Sequence, residues 1–161
     1  MDLKFKISGH ISKPVAEVFE AVADPKKLSG YFTTGGAKGR LETGATVMWD
    51  FHDFPGAFPV NVVEVEQNEK IVLKWDAYEG PPPEPGKPLP ETTKYQTTVT
   101  MTFAPLDDGA RTLVTISEEG WRETPKGLEG SYGNCQGWSQ MMCCMKTYLE
   151  HGINLREGFY K

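Results

Sequence analysis

Cysteine is scarce: Cys135, Cys143 and Cys144 are the only three in 161 residues. The neighbours Cys143 and Cys144 would diverge by about 100° on a helix and cannot readily bridge. A disulfide framework is therefore not expected, and a reduced, cytoplasmic setting is. No apolar run approaches the roughly 18 residues that span a bilayer. The N-terminal Met1-Asp2-Leu3-Lys4-Phe5-Lys6-Ile7 alternates like a strand and lacks the continuous apolar core of a signal peptide. Positive charge is also short. Seventeen Lys and Arg against 22 Asp and Glu leave a net charge of −5, with no basic cluster of the density a nucleic-acid surface needs. There is no Gly-x-Ser-x-Gly elbow, no P-loop and no dinucleotide fingerprint, so no cofactor is expected.

What is present is an ordinary globular composition, 39% apolar and 24% charged, with 17 Gly and 12 Pro. A chain of about this size buries roughly 70% of its unfolded surface and needs neither metal nor disulfide for stability. One domain covering 1–161 is expected. Leu3 to Ile11 reads as a strand, with Leu3, Phe5, Ile7 and Ile11 on one face. Pro14 suits a helix start, and Val15, Val18, Phe19 and Val22 form the stripe of a short helix ending near Asp24-Pro25. A second helical turn follows to Gly30. Strands are predicted around Arg40 to Glu42, then Thr46 to His52, Phe58 to Glu66 and Lys70 to Trp75. Two longer ones follow, Thr93 to Pro105 and Arg111 to Glu119, joined by Asp107-Asp108-Gly109-Ala110, a hairpin signal.

The last helix is the most informative segment. Over roughly 134–150, Trp138, Met141, Met142, Met145, Tyr148 and Leu149 recur at i, i+3, i+4, i+7 spacing. Residues 120–133 are read as a connector. A face this long needs an apolar cover, and the upstream sheet is the candidate. Its Met and aromatic content suits adaptable surfaces and irregular gaps.

The candidate ligand-binding set follows from that face and from the inward positions of the strands: Trp49, Phe51, Trp75, Tyr95, Trp121, Trp138, Met141, Met142 and Met145. The same residues could equally fill an ordinary core. Asp50 and His52 share a strand face, but Trp49 and Phe51 take the inner one, which leaves that pair toward solvent. Cys135 with Cys143, and Cys144 with His151, each share a helical face. The two pairs do not share one, so no metal site is expected. Pro82-x-x-Pro85 and Pro85-x-x-Pro88 lie in a proline-rich stretch, 80–90, read as an exposed loop or a lid.

Taken together, the segments resemble the helix-grip fold of the START-like, or SRPBCC, superfamily. The closest likeness is to its branch related to the C-terminal domain of the Hsp90 ATPase activator Aha1. The residues that carry it are Ile11-Ser12-Lys13-Pro14 through Val18-Phe19, Ala23-Asp24-Pro25 through Leu28, and Gly44 with Val47-Met48-Trp49. Val63-Glu64-Val65-Glu66, Ile71-Val72-Leu73-Lys74-Trp75, Glu118-Glu119-Gly120-Trp121, and Gly137-Trp138 with Leu149-Glu150-His151-Gly152 complete the set. Tyr31 stands where many relatives carry Trp. The resemblance implies an α+β fold in which a bent antiparallel sheet wraps a long C-terminal helix, with two short helices after the first strand. It also implies an apolar cavity between sheet and helix that takes a small or medium hydrophobic molecule. The alternatives are an enzyme of cyclase or hydrolase type acting on such a molecule, and a protein-interaction module of co-chaperone kind with a partner the sequence does not identify.

Overall fold

A computed structural model describes residues 1–80 and 95–161. Its elements are β1 (Leu3–Ile11), α1 (Val15–Ala23), α2 (Pro25–Leu28), β2 (Gly36–Lys38), β3 (Thr46–Phe51), β4 (Phe54–Glu66), β5 (Lys70–Asp76), β6 (Gln96–Leu106), β7 (Arg111–Trp121) and α3 (Pro125–His151). The strands form one seven-stranded antiparallel sheet in the order β1-β7-β6-β5-β4-β3-β2. The fold is α+β, a helix grip, with α3 gripped by the sheet and α1 and α2 early in the chain.

Local chemistry explains the early elements. Strict alternation along β1 turns Leu3, Phe5 and Ile7 inward and the lysines out. Asp24 caps α2, its carboxylate accepting from the Lys26 and Lys27 amides at 2.8 and 3.2 Å, while Pro25 occupies the first helical position. The two inner layers meet in a single apolar cluster. Val47 and Trp49 of β3, Ile71 and Leu73 of β5, Met101 of β6 and Ile116 of β7 join Val18 and Phe19 of α1 and Met141 and Met145 of α3. Helix α3 crosses β1 closely, because a Cβ at Gly9 would lie 3.0 Å from the Met142 Cγ.

Three expectations shift. Residues 40–42 form no strand; the short edge strand is Gly36–Lys38 instead. Leu41 is buried and its amide donates to the Ala23 carbonyl at 3.1 Å, so this segment closes the end of α1 rather than extending the sheet. Strand β4 begins at Phe54, four residues earlier than read. Helix α3 begins at Pro125, not near Asn134, so most of the connector is helix. Its start is well specified: Thr124 accepts from the Gly127 amide at 3.0 Å, with Pro125 in the first turn. The glycines at 127, 130 and 133 had disguised it, since each disfavours helix by about 1 kcal/mol relative to Ala. The proline-rich loop reading falls on residues outside those described, apart from Gly80.

Candidate functional site

The glycines on α3 serve two purposes. Gly127 and Gly130 permit close contact: a Cβ at 127 would lie 2.0 Å from the Arg122 carbonyl oxygen, and one at 130 would lie 3.0 Å from the Trp121 ring. Gly133 and Gly137, one turn apart, are different. A Cβ at either meets nothing within 4 Å. Both face a cavity of about 670 Å³ between the N-terminal half of α3, the ends of β3, β4 and β5, and the C-terminal segment. At those two positions the helix puts no side chain into the pocket.

Opposite the glycines lies a closed ring of aromatic side chains. Phe32 meets Phe51 edge-on at 4.9 Å, and Phe51 stacks on Phe58 at 5.8 Å. Phe58 meets Trp75 at 5.8 Å, Trp75 meets Trp138 at 5.4 Å, and Trp138 returns to Phe32 at 5.4 Å. All five line the cavity. Edge-on and tilted contacts at these separations are the favourable geometries for ring quadrupoles, and they lock the wall. Trp49 lies fully buried behind it, edge-on to Phe32 and Trp75.

Two carboxylates are buried at this wall. Asp53 follows β3 and is held by Arg156 of the C-terminal segment. Arg156 Nε donates to Oδ2 at 2.9 Å and Nη2 to Oδ1 at 2.7 Å. The guanidinium also lies 4.5 Å from the Phe51 ring centre. Glu118 of β7 is wholly inaccessible. It accepts from Trp75 Nε1 at 2.8 Å, Thr97 Oγ1 at 2.6 Å and Trp138 Nε1 at 3.0 Å, and from Asn134 Nδ2 at 3.1 Å to each oxygen. Every partner donates, which is what a carboxylate requires. The indoles that form one side of the ring are thus pinned from behind by an acid that does not itself reach the cavity.

The sequence-derived candidates are distributed as follows. Phe51, Trp75 and Trp138 come together on the pocket wall. Trp49 supports them. Met141 and Met145 are fully buried in the core, and Met142 packs on Gly9. Tyr95 lies outside the lining, its hydroxyl bonded to Glu79 and its ring 4.3 Å from the Arg122 guanidinium. Trp121 is buried against Gly130. Phe32, Phe58, Glu118 and the Gly133–Gly137 pair were not singled out. The signal for the last was available, as glycines at 130, 133 and 137 keep helical spacing. Asp50 and His52 do face away from the core, and His52 bonds Thr34. Burial pushes the Cys144 thiol up to about 11, which leaves it inert at neutral pH. Among the described residues no three His, Cys, Asp or Glu are arranged to hold a metal, and no helix is long and apolar enough to cross a membrane.

Comparison with known proteins places this architecture. Residues 12–150 match the family described as Activator of Hsp90 ATPase homolog 1-like protein. The chain belongs to that family. Among solved structures, a Staphylococcus saprophyticus protein is 27% identical with a TM-score of 0.71, over 97% of this chain and 96% of that one. The Aha1 dimer from Colwellia psychrerythraea is 17% identical, with a TM-score of 0.68 over 92% of this chain and 97% of that one. DynU16, from the dynemicin biosynthetic locus, is 23% identical with a TM-score of 0.73; the match covers 96% of this chain and 49% of DynU16. The last two likenesses are of fold. No curated protein matches the sequence.

Proposed function

We propose that this family member binds a small or medium apolar molecule, aromatic or lipid-like, in the cavity between α3 and the sheet. The observation that carries the reading is the Gly133–Gly137 gap facing the five-ring wall. Two open glycines cost helix stability, about 0.5–1 kcal/mol each relative to Ala, and what they leave is a pocket of ligand size. Phe51, Trp75 and Trp138, with Phe32 and Phe58, would supply burial at roughly 25 cal/mol per Å² of apolar surface. Glu118 is the acid that a catalytic role would call on. Its oxygens are taken by four neutral donor groups behind the wall and do not reach the cavity, and Asp53, which does line it, is taken by Arg156; both arrangements favour holding over converting.

The test is to fill the gap. Gly137→Leu places a side chain where nothing is met and improves helix propensity. Its melting temperature should rise or hold, while binding of an aromatic probe such as acridine, followed by quenching of Trp75 and Trp138 fluorescence, should be lost. Unchanged probe binding in a folded Gly137→Leu protein would remove the reading.

A further inference from the structure

The pocket reading leaves the charge of the ligand open, and of the two buried carboxylates Glu118, which has no cation partner among the described residues, bears on it. We propose that the Trp75–Trp138 side of the pocket is a cation subsite, so that the molecule it takes carries a delocalised positive charge on a planar aromatic frame, as in a protonated amino-substituted nitrogen heterocycle or an N-alkylated heterocycle. This rests on the pocket reading above.

Glu118 is fully buried, and no Lys, Arg or His of the described residues forms an ion pair with it. Its five accepted hydrogen bonds come from two indoles, a hydroxyl and an amide, all neutral. Donors converging on both oxygens are the surroundings that a carboxylate anion takes, and in a region of low dielectric its charge is felt at longer range than in water. Two of the donors are the pocket's own wall. Hydrogen bonding to an anion polarises each donor, which makes the Trp75 and Trp138 ring faces richer in electron density toward the cavity. Trp is already the best aromatic partner for a cation.

The molecule supplies its own precedent at the opposite side of the ring. There Phe51 and Phe32 receive a cation, the Arg156 guanidinium at 4.5 and 5.7 Å, and Asp53 sits behind it as counter-charge. Aromatic face, buried carboxylate and planar cation make a complete set. The Trp75–Trp138 side has the first two, and no cation of the described residues lies over either indole. A planar cation entering beside Gly133 and Gly137 would complete it. A carboxylated ligand in the same place would meet a second negative charge. Among the described residues the rim adds one negative charge, since Asp76, Glu79 and Glu129 stand against Lys126 and Lys161. Glu79 is half-buried and takes the Tyr95 hydroxyl, the other four are exposed and open to screening, and Glu118→Gln separates the buried charge from all of them.

Three tricyclic probes of matched shape separate the possibilities on the unmodified protein: 9-aminoacridinium, neutral acridine and anthracene-9-carboxylate. Dissociation constants are measured at about 0.5 M salt, where rim charges are screened and buried ones are not. The cation should bind at least about tenfold tighter than the anion, with the neutral probe between them. Glu118→Gln, where it folds, should bring cation and anion to within about threefold of each other. An anion that binds as tightly as the cation overturns the inference, and so does a preference that Glu118→Gln leaves intact. Binding that Gly137→Leu abolishes, but with no charge preference, overturns the inference alone. Probes that fail to bind, or that bind Gly137→Leu equally well, overturn the pocket reading and this inference together.

Discussion

Asp53 and Glu118 stand behind the same aromatic ring and are stabilised in opposite ways. Asp53 is paired side-on with Arg156, so its charge is cancelled where it arises. That pair ties the C-terminal segment, which follows the left-handed Gly152 cap of α3, to the turn after β3. Glu118 has no cation and is held by directional hydrogen bonds from neutral groups on β5, β6 and α3. An ion pair fixes two points. A carboxylate accepting from four groups fixes a surface: it sets the rotation of two indoles at once and joins strand to helix across the grip. The first arrangement closes the end of the pocket, and the second shapes its wall.

The comparison breaks most severely at Glu118. Glu118→Ala leaves two indole N–H groups, the Thr97 hydroxyl and the Asn134 amide without their acceptor, at about 1–3 kcal/mol for each buried orphan. The expected loss is about 5 kcal/mol or more, a large part of an ordinary domain's stability. Urea denaturation should show either that loss or a protein that does not fold. A loss below about 2 kcal/mol would mean that water replaces the carboxylate and that the wall is not pinned by it.

Arg156→Ala strikes the other pole. It leaves Asp53 buried and unpaired, which costs about 3–5 kcal/mol. The cost should fall when Asp53→Asn is added to Arg156→Ala, because the orphaned charge disappears with its partner. No such rescue by a second neutral substitution is open to Glu118, which has no single partner to remove. A double variant as unstable as the Arg156 change alone would show that Arg156 acts through its packing on Phe51 and Phe32 rather than through charge.

These two carboxylates also mark what the sequence could show. The grip itself was legible, because period-2 alternation in the strands and the 3.6 period of Trp138, Met141 and Met145 are local signals of burial. The inward placement of Trp49 and Phe51 against Asp50 and His52 followed from the same alternation. Alternation cannot say whether an inward side chain meets core or cavity, and Met141 and Trp138 differ only in that respect. That depends on what stands nearby, here the missing side chains of Gly133, read into the connector, and Gly137, read as an ordinary helix position. Glu118 was readable only as part of a familiar motif. A buried acid is recognised by its donors, and those lie 16 to 43 residues away in sequence.

A third carboxylate sharpens the contrast at its small end. Glu20 of α1 pairs with Arg40, whose Nη2 donates to Oε2 at 2.9 Å, and both side chains are about a third exposed. The hydrogen bond from Arg40 holds the Glu20 carboxyl below its ordinary value of 4.5. A carboxyl whose folded pKa is depressed adds stability above its unfolded pKa and loses it as pH falls through the lower folded value. Near neutral pH, Glu20→Gln should therefore cost only about 0.2–1 kcal/mol, the range of an exposed pair. Below the folded pKa the variant and the parent should become equal, since both then carry a neutral side chain there. Denaturation curves at neutral and strongly acidic pH measure the difference. A cost that persists unchanged in acid would show that Glu20 stabilises α1 by packing rather than by charge.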